Sequence, residues 1–144
     1  EENAKKKAKE CYEVFKSPII SDDSGLFVDA LDGQPGVHSK RYAGISSTDV
    51  ENNQKLINEL KTADNLSAFF KTVLCYFDGL NFITSEGVLK GNIIFEPRGK
   101  NGFGYDPIFE VSGKTLAEMT LDEKSNISHR KLAAVKLVEK LNEI

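Results

Sequence analysis

Between residues 2 and 16, apolar side chains recur at steps of three and four, so Ala4, Ala8, Cys11, Tyr12 and Phe15 share one face while Lys and Glu fill the rest. That spacing predicts an amphipathic helix. Ser17-Pro18 ends it, because proline disfavours helical backbone in the residue before it. A short apolar strand at 18–21 follows, then Asp22-Asp23-Ser24-Gly25, then a second strand at 26–31. The pattern predicts a strand delivering its acids to a turn. Asp32-Gly33-Gln34-Pro35-Gly36 is loop chemistry. Thr48-Asp49-Val50-Glu51 has capping-box spacing and opens a helix that carries Val50, Leu56, Ile57 and Leu60 inward, with Asn53 and Lys55 toward water.

Residues 67 to 96 form the clearest β region. Strands at 68–77 and 80–87 are joined by Asp78-Gly79, a hairpin signal because glycine accepts the positive φ of a primed turn. The first strand is apolar on both faces, with Phe69, Val73, Cys75 and Phe77 on one and Phe70, Leu74 and Tyr76 on the other. That predicts a central strand covered on both sides. A further strand at 88–95 is bent or bulged at Gly91. Thr115 to Glu118 and Thr120 to Glu123 repeat the capping-box spacing. A last helix begins at or near Ser128 with the core stripe Ala134, Leu137, Val138 and Leu141. Helices alternating with a β region make this an α/β chain.

With 144 residues and 40% hydrophobic content the chain is expected to form a single domain. Charged residues at 28% and a net charge of −3 give a mildly acidic surface, which argues against a nucleic-acid partner. Cys11 and Cys75 lack metal-type spacing and read as reduced, buried thiols of a cytoplasmic protein. No apolar run approaches the roughly 18 residues that would span a membrane, and no signal-peptide pattern is present.

Three places carry candidate chemistry. Adjacent Asp22 and Asp23 repel each other and call for a cation or a donor. Mg²⁺ suits them, since it takes carboxylate oxygens and fills its other positions with water and phosphates. The alternative there is an Asx-type turn. Gly99, Gly102 and Gly104 let backbone approach a ligand closely, with Phe103 and Tyr105 interleaved and Asp106 closing the segment. Lys124, His129 and Arg130 bracket the start of the last helix, where cations call for an anionic or electron-rich partner; the alternative is a surface basic patch.

Taken together, Ser21-Asp22-Asp23-Ser24-Gly25-Leu26, Gly102-Phe103-Gly104-Tyr105-Asp106-Pro107 and Glu123-Lys124-Ser125-Asn126-Ile127-Ser128-His129-Arg130 resemble the inosine triphosphate pyrophosphatase family, hydrolases of aberrant purine nucleoside triphosphates. Glu2-Asn3-Ala4 with Lys7, Gly33-Gln34-Pro35-Gly36-Val37 and Arg41-Tyr42-Ala43-Gly44 also match, so the resemblance covers essentially the whole chain. The family's opening strand and its Thr/Ser-Gly-Asn-x-x-Lys phosphate loop have no counterpart, so a member lacking its amino-terminal segment is expected.

The resemblance implies an elongated mixed β-sheet flanked by helices in two lobes with a central cleft. It implies a homodimer and Mg²⁺-dependent hydrolysis of ITP, dITP or XTP to the monophosphate and pyrophosphate. Asp23 is then expected to bind the metal or polarise the attacking water, with Asp22 and Glu2 as supporting acids, Lys7 on a phosphate oxygen and Ser24 donating to the substrate. Phe103 and Tyr105 offer flat faces to the purine, Gly104 close backbone, and Asp106 an acceptor for the N1 hydrogen of a 6-oxopurine. Lys124 and Arg130 only donate, which suits a C6 oxygen and rejects the amino group of adenine by roughly 10⁴-fold; His129 contacts base or sugar. Two rivals stand beside this reading: a catalytically impaired nucleotide-binding or scaffold module, and a pyrophosphatase of modified pyrimidine nucleotides.

Overall fold

The structure, a computed structural model, describes residues 2–143. In chain order it contains α1 (Glu2–Phe15), β1 (Ile19–Val28), β2 (Pro35–Gly36), α2 (Asp49–Leu60), β3 (Ser67–Phe77), β4 (Phe82–Ile93), β5 (Phe109–Val111), β6 (Lys114–Thr115), α3 (Leu121–Ile127) and α4 (His129–Asn142). The strands form one six-stranded sheet in the order β2-β1-β3-β4-β5-β6. Pairings β1–β2, β4–β5 and β5–β6 are antiparallel. The α/β class agrees with the sequence, and β3 lies inside the sheet order as its two apolar faces require.

The chain divides into two compact units, residues 2–24, 71–88 and 127–143 in the first and 25–70 and 89–126 in the second. In the first unit, Ala4 and Ala8 pack with Val73, Cys75 and Phe77, so the small face of α1 lies close on β3. Ser21 Oγ donates to the Ala4 carbonyl at 2.5 Å and fixes the helix against β1. Tyr12 meets Phe77 edge-on at 5.2 Å, and Phe77 stacks on Phe82 at 4.2 Å. Helix α4 docks on β4 where the strand carries small residues: Ser85 Oγ donates to the Ala133 carbonyl at 2.6 Å, and a Cβ at Gly87 would overlap the His129 carbonyl oxygen.

The core of the second unit includes Leu26, Leu56, Leu60, Ile93, Ile108 and Phe109. Glycine is required at 25, where an added Cβ would lie 2.5 Å from the Gly36 carbonyl oxygen of β2. All three capping boxes form: Thr48 with Glu51 opens α2, Thr115 with Glu118 opens a 3-10 turn, and Thr120 exchanges bonds of 3.1 Å with Glu123 ahead of α3.

Several expectations are corrected. No turn interrupts β1 at the acids; Asp22 to Gly25 lie within one strand, and residues 29–31 leave it as a 3-10 turn. Strand β4 runs unbroken from 82 to 93 rather than as two strands, because Gly87 and Gly91 admit α4 and β5 closely instead of ending it. The buried stripe of α4 is Ala133 and Leu137, one residue out of phase with Ala134 and Val138, and Val138 is 55% exposed. In α1 the buried pair is Ala4 and Ala8, with Cys11 exposed and Phe15 68% exposed. Val50 faces solvent while Asn53 is buried, the reverse of the periodicity reading.

Candidate active-site residues

Within the first unit, strand geometry decides where the acids point. Successive side chains of a strand face opposite sides, so Asp22 and Ser24 share one face and Ser21 and Asp23 the other. On the α1 face, Lys7 Nζ lies 3.8 Å from Asp23 Oδ1 and donates to the Asp22 carbonyl at 3.1 Å. On the other face, Ser24 Oγ donates to Asp22 Oδ1 at 2.6 Å and meets Thr72 Oγ1 at 2.8 Å. Arg130 Nε reaches both Ser24 Oγ and Asp22 Oδ2 at 3.4 Å. The repulsion between the carboxylates is thus relieved by separation, each acid with its own cation. Arg130, which the sequence assigns to the substrate, has its Nε engaged by Ser24 and Asp22.

His129 is the first residue of α4, capped by Ser128, whose Oγ accepts from the Lys131 N–H at 3.4 Å. Glu2 is exposed on the first turn of α1. Among the described residues no three His, Cys, Asp or Glu side chains form a group that would hold a metal. The expected trio of Asp22, Asp23 and Glu2 thus forms no such group, and a single carboxylate completed by water and phosphate oxygens is a coordination that Mg²⁺ accepts.

Within the second unit, the glycine-rich segment is fixed tightly. Asp106 is 5% exposed, and its Oδ2 accepts from the Phe103 N–H at 3.1 Å and from Lys124 Nζ at 2.5 Å. Lys124 Nζ also sits 4.8 Å from the centre of the Phe103 ring, a cation–π contact. A Cβ at Gly102 would overlap Asp106 Oδ2, and its φ of +75° favours glycine as well. Phe103 is 64% exposed. Tyr105 is buried, donating its hydroxyl to the Ser39 carbonyl at 2.6 Å, so of the two rings only Phe103 presents an open face. Burial, with the charge of Asp49 adding to it, holds the Tyr105 phenol above its usual range.

Three residues that the sequence does not mark as site residues take part in these arrangements. Thr72 is fully buried and supports Ser24. Asp49 Oδ2 accepts from the Gly104 N–H at 2.9 Å, and Asn53 Nδ2 donates to the Gly104 carbonyl at 3.1 Å. The tandem Asn52-Asn53 inside a helix was the available signal, because asparagine is a weak helix former that bonds backbone elsewhere. Asn52 does so too, donating to the Lys40 carbonyl at 3.0 Å and accepting from the Ala43 N–H at 2.8 Å.

A sequence profile described as "Ham1 family" matches residues 1–140. The chain belongs to the Ham1 family. One relative, named dITP/XTP pyrophosphatase, from Caldanaerobacter subterraneus subsp. tengcongensis, is 49% identical over 144 residues, covering 96% of this chain and 72% of its own. Among solved Ham1 structures, that of the Staphylococcus aureus protein superposes with a TM-score of 0.94 at 38% identity, over 99% of this chain and 76% of the other. The Coxiella burnetii HAM1 protein superposes with a TM-score of 0.93 at 43% identity, over the same shares of the two chains. The match over residues 1–140 spans all three blocks that carry the resemblance.

Proposed function

We propose that this Ham1 protein hydrolyses dITP, ITP and XTP to the nucleoside monophosphate and pyrophosphate, clearing aberrant purines from the nucleotide pool. The observation that carries the reading is its 49% identity, across 96% of the chain, to a protein named dITP/XTP pyrophosphatase. In the reaction a water oxygen bonds to the α-phosphorus, the bond to the bridging oxygen breaks, and pyrophosphate leaves.

Asp23 would hold Mg²⁺, with Asp22 and Glu2 as supporting acids; bound there, the ion would neutralise the polyphosphate charge. Lys7, with its ammonium beside Asp23, binds a phosphate oxygen. Arg130 has donors left beyond the Nε that serves Ser24 and Asp22, and these suit phosphate. Ser24 donates to the substrate once Asp22 releases its hydroxyl, and His129 contacts base or sugar.

The purine stacks on the open face of Phe103 beside the Gly104 backbone, with Tyr105 fixing the loop from beneath. Lys124 gives one donor to Asp106 and keeps others for the C6 oxygen, whereas adenine's amino group would leave those donors unpaired. The remaining acceptor capacity of Asp106 suits the N1 hydrogen.

The family resemblance supports a homodimer working in the cytoplasm. Among the described residues no helix is long and apolar enough to cross a membrane. The test is pyrophosphate release from dITP with Mg²⁺ by the wild type and by Asp23→Asn. Release that the substitution abolishes is expected; dITP binding without release would instead identify a nucleotide-binding module.

A further inference from the structure

Gly104 is gripped from both sides by side chains one turn apart on α2. Its N–H belongs to the Phe103–Gly104 peptide and is held by Asp49; its carbonyl belongs to the Gly104–Tyr105 peptide and is held by Asn53. The two bonds fix the peptide planes on either side of a glycine at φ +61°, a residue otherwise free to rotate.

Asn53 is only 7% exposed, and its Oδ1 has no hydrogen-bond partner among the described residues. Burying an unpaired acceptor is unfavourable. A leucine there would remove that unpaired acceptor but would also leave the Gly104 carbonyl without its donor, so the amide is tied to the loop through this one bond.

We propose that Asp49 and Asn53 are positioning residues that hold the loop at residues 102–106 in its binding shape and so set the affinity for a 6-oxopurine nucleotide. The inference deepens the function proposed above and rests on it.

The test combines Michaelis parameters for dITP with thermal unfolding and with exchange of the Gly104 amide proton. Asn53→Leu is expected to raise KM about fivefold to tenfold, the ratio that one such hydrogen bond supports, with kcat within about twofold and a cooperative unfolding transition retained. Asp49→Ala is expected to raise KM similarly and to speed Gly104 exchange at least about tenfold. Asp49→Asn, which keeps an acceptor oxygen, is expected to restore both. KM values for Asn53→Leu and Asp49→Ala within about twofold of wild type overturn the proposal, as does a rise in KM that Asp49→Asn fails to reverse. If the wild type does not hydrolyse dITP, the function fails rather than the clamp. Exchange at Gly104 then decides alone: acceleration in Asp49→Ala supports the clamp and an unchanged rate overturns it.

Discussion

Asp22 and Asp23, neighbours in the chain, face opposite sides of β1, Asp22 toward Arg130 at 3.4 Å and Asp23 toward Lys7 at 3.8 Å. Two acids that look interchangeable in sequence therefore have different partners.

That separation predicts unequal effects. Asp23→Asn is expected to lower kcat by about 10²-fold or more, the scale of losing a group that acts on the attacking water. Asp22→Asn keeps an acceptor for Ser24 and loses only a half-exposed ion pair, so turnover is expected to stay within about tenfold and stability within about 1 kcal/mol. Steady-state kinetics on both variants, with urea unfolding alongside, checks the contrast.

Lys124 carries the proposed choice of base. Lys124→Met keeps the length of the side chain and removes the donors, so the ratio of kcat/KM for dITP over dATP is expected to fall at least about tenfold. Asp106, buried and left without its ammonium, is expected to lower stability by about 1–3 kcal/mol in the same variant. An unchanged ratio would remove Lys124 from base selection.

Gly87 tests the packing of α4. A methyl group there meets the His129 carbonyl, backbone that cannot swing aside, so Gly87→Ala is expected to cost about 1–3 kcal/mol by overpacking. Because α4 carries His129 and Arg130, turnover is expected to fall with it. Denaturant midpoints and kinetics of the one variant report both.

Two phenols make stability fall in alkali. Tyr105 is raised above its ordinary value of 10.0 by burial and the charge of Asp49; Tyr42 is raised by burial and by donating to Glu59. A group whose folded pKa is raised contributes fully below the unfolded value and loses that contribution as pH rises above it. Urea midpoints are expected to hold to about pH 9.5 and then drop toward pH 11. Tyr105→Phe is expected to flatten the drop while losing about 1 kcal/mol at neutral pH with its bond to Ser39.

What the sequence revealed and what it hid divide along physical lines. The capping boxes at Thr48, Thr115 and Thr120 were legible because a cap is local, as was β3, apolar on both faces. The phase of α1 and α4 was not, since partners distant in sequence decide it: Ser85 and Gly87 select Ala133, and β3 selects the alanine side of α1. The acids of β1 were misread as a turn because polarity suggested a break, when Lys7, Ser24 and Arg130 make the strand tolerable. Thr72 and the Asn53 clamp depend on pairings 48 and 51 residues apart, beyond any local pattern. Tyr105 read as a second stacking ring because exposure cannot be told from residue type.

The most direct measurement is pyrophosphate release from dITP and from dATP by the wild-type protein, side by side with Mg²⁺. The account predicts kcat/KM larger for dITP by about 10³-fold or more. Equal values for the two nucleotides would contradict it.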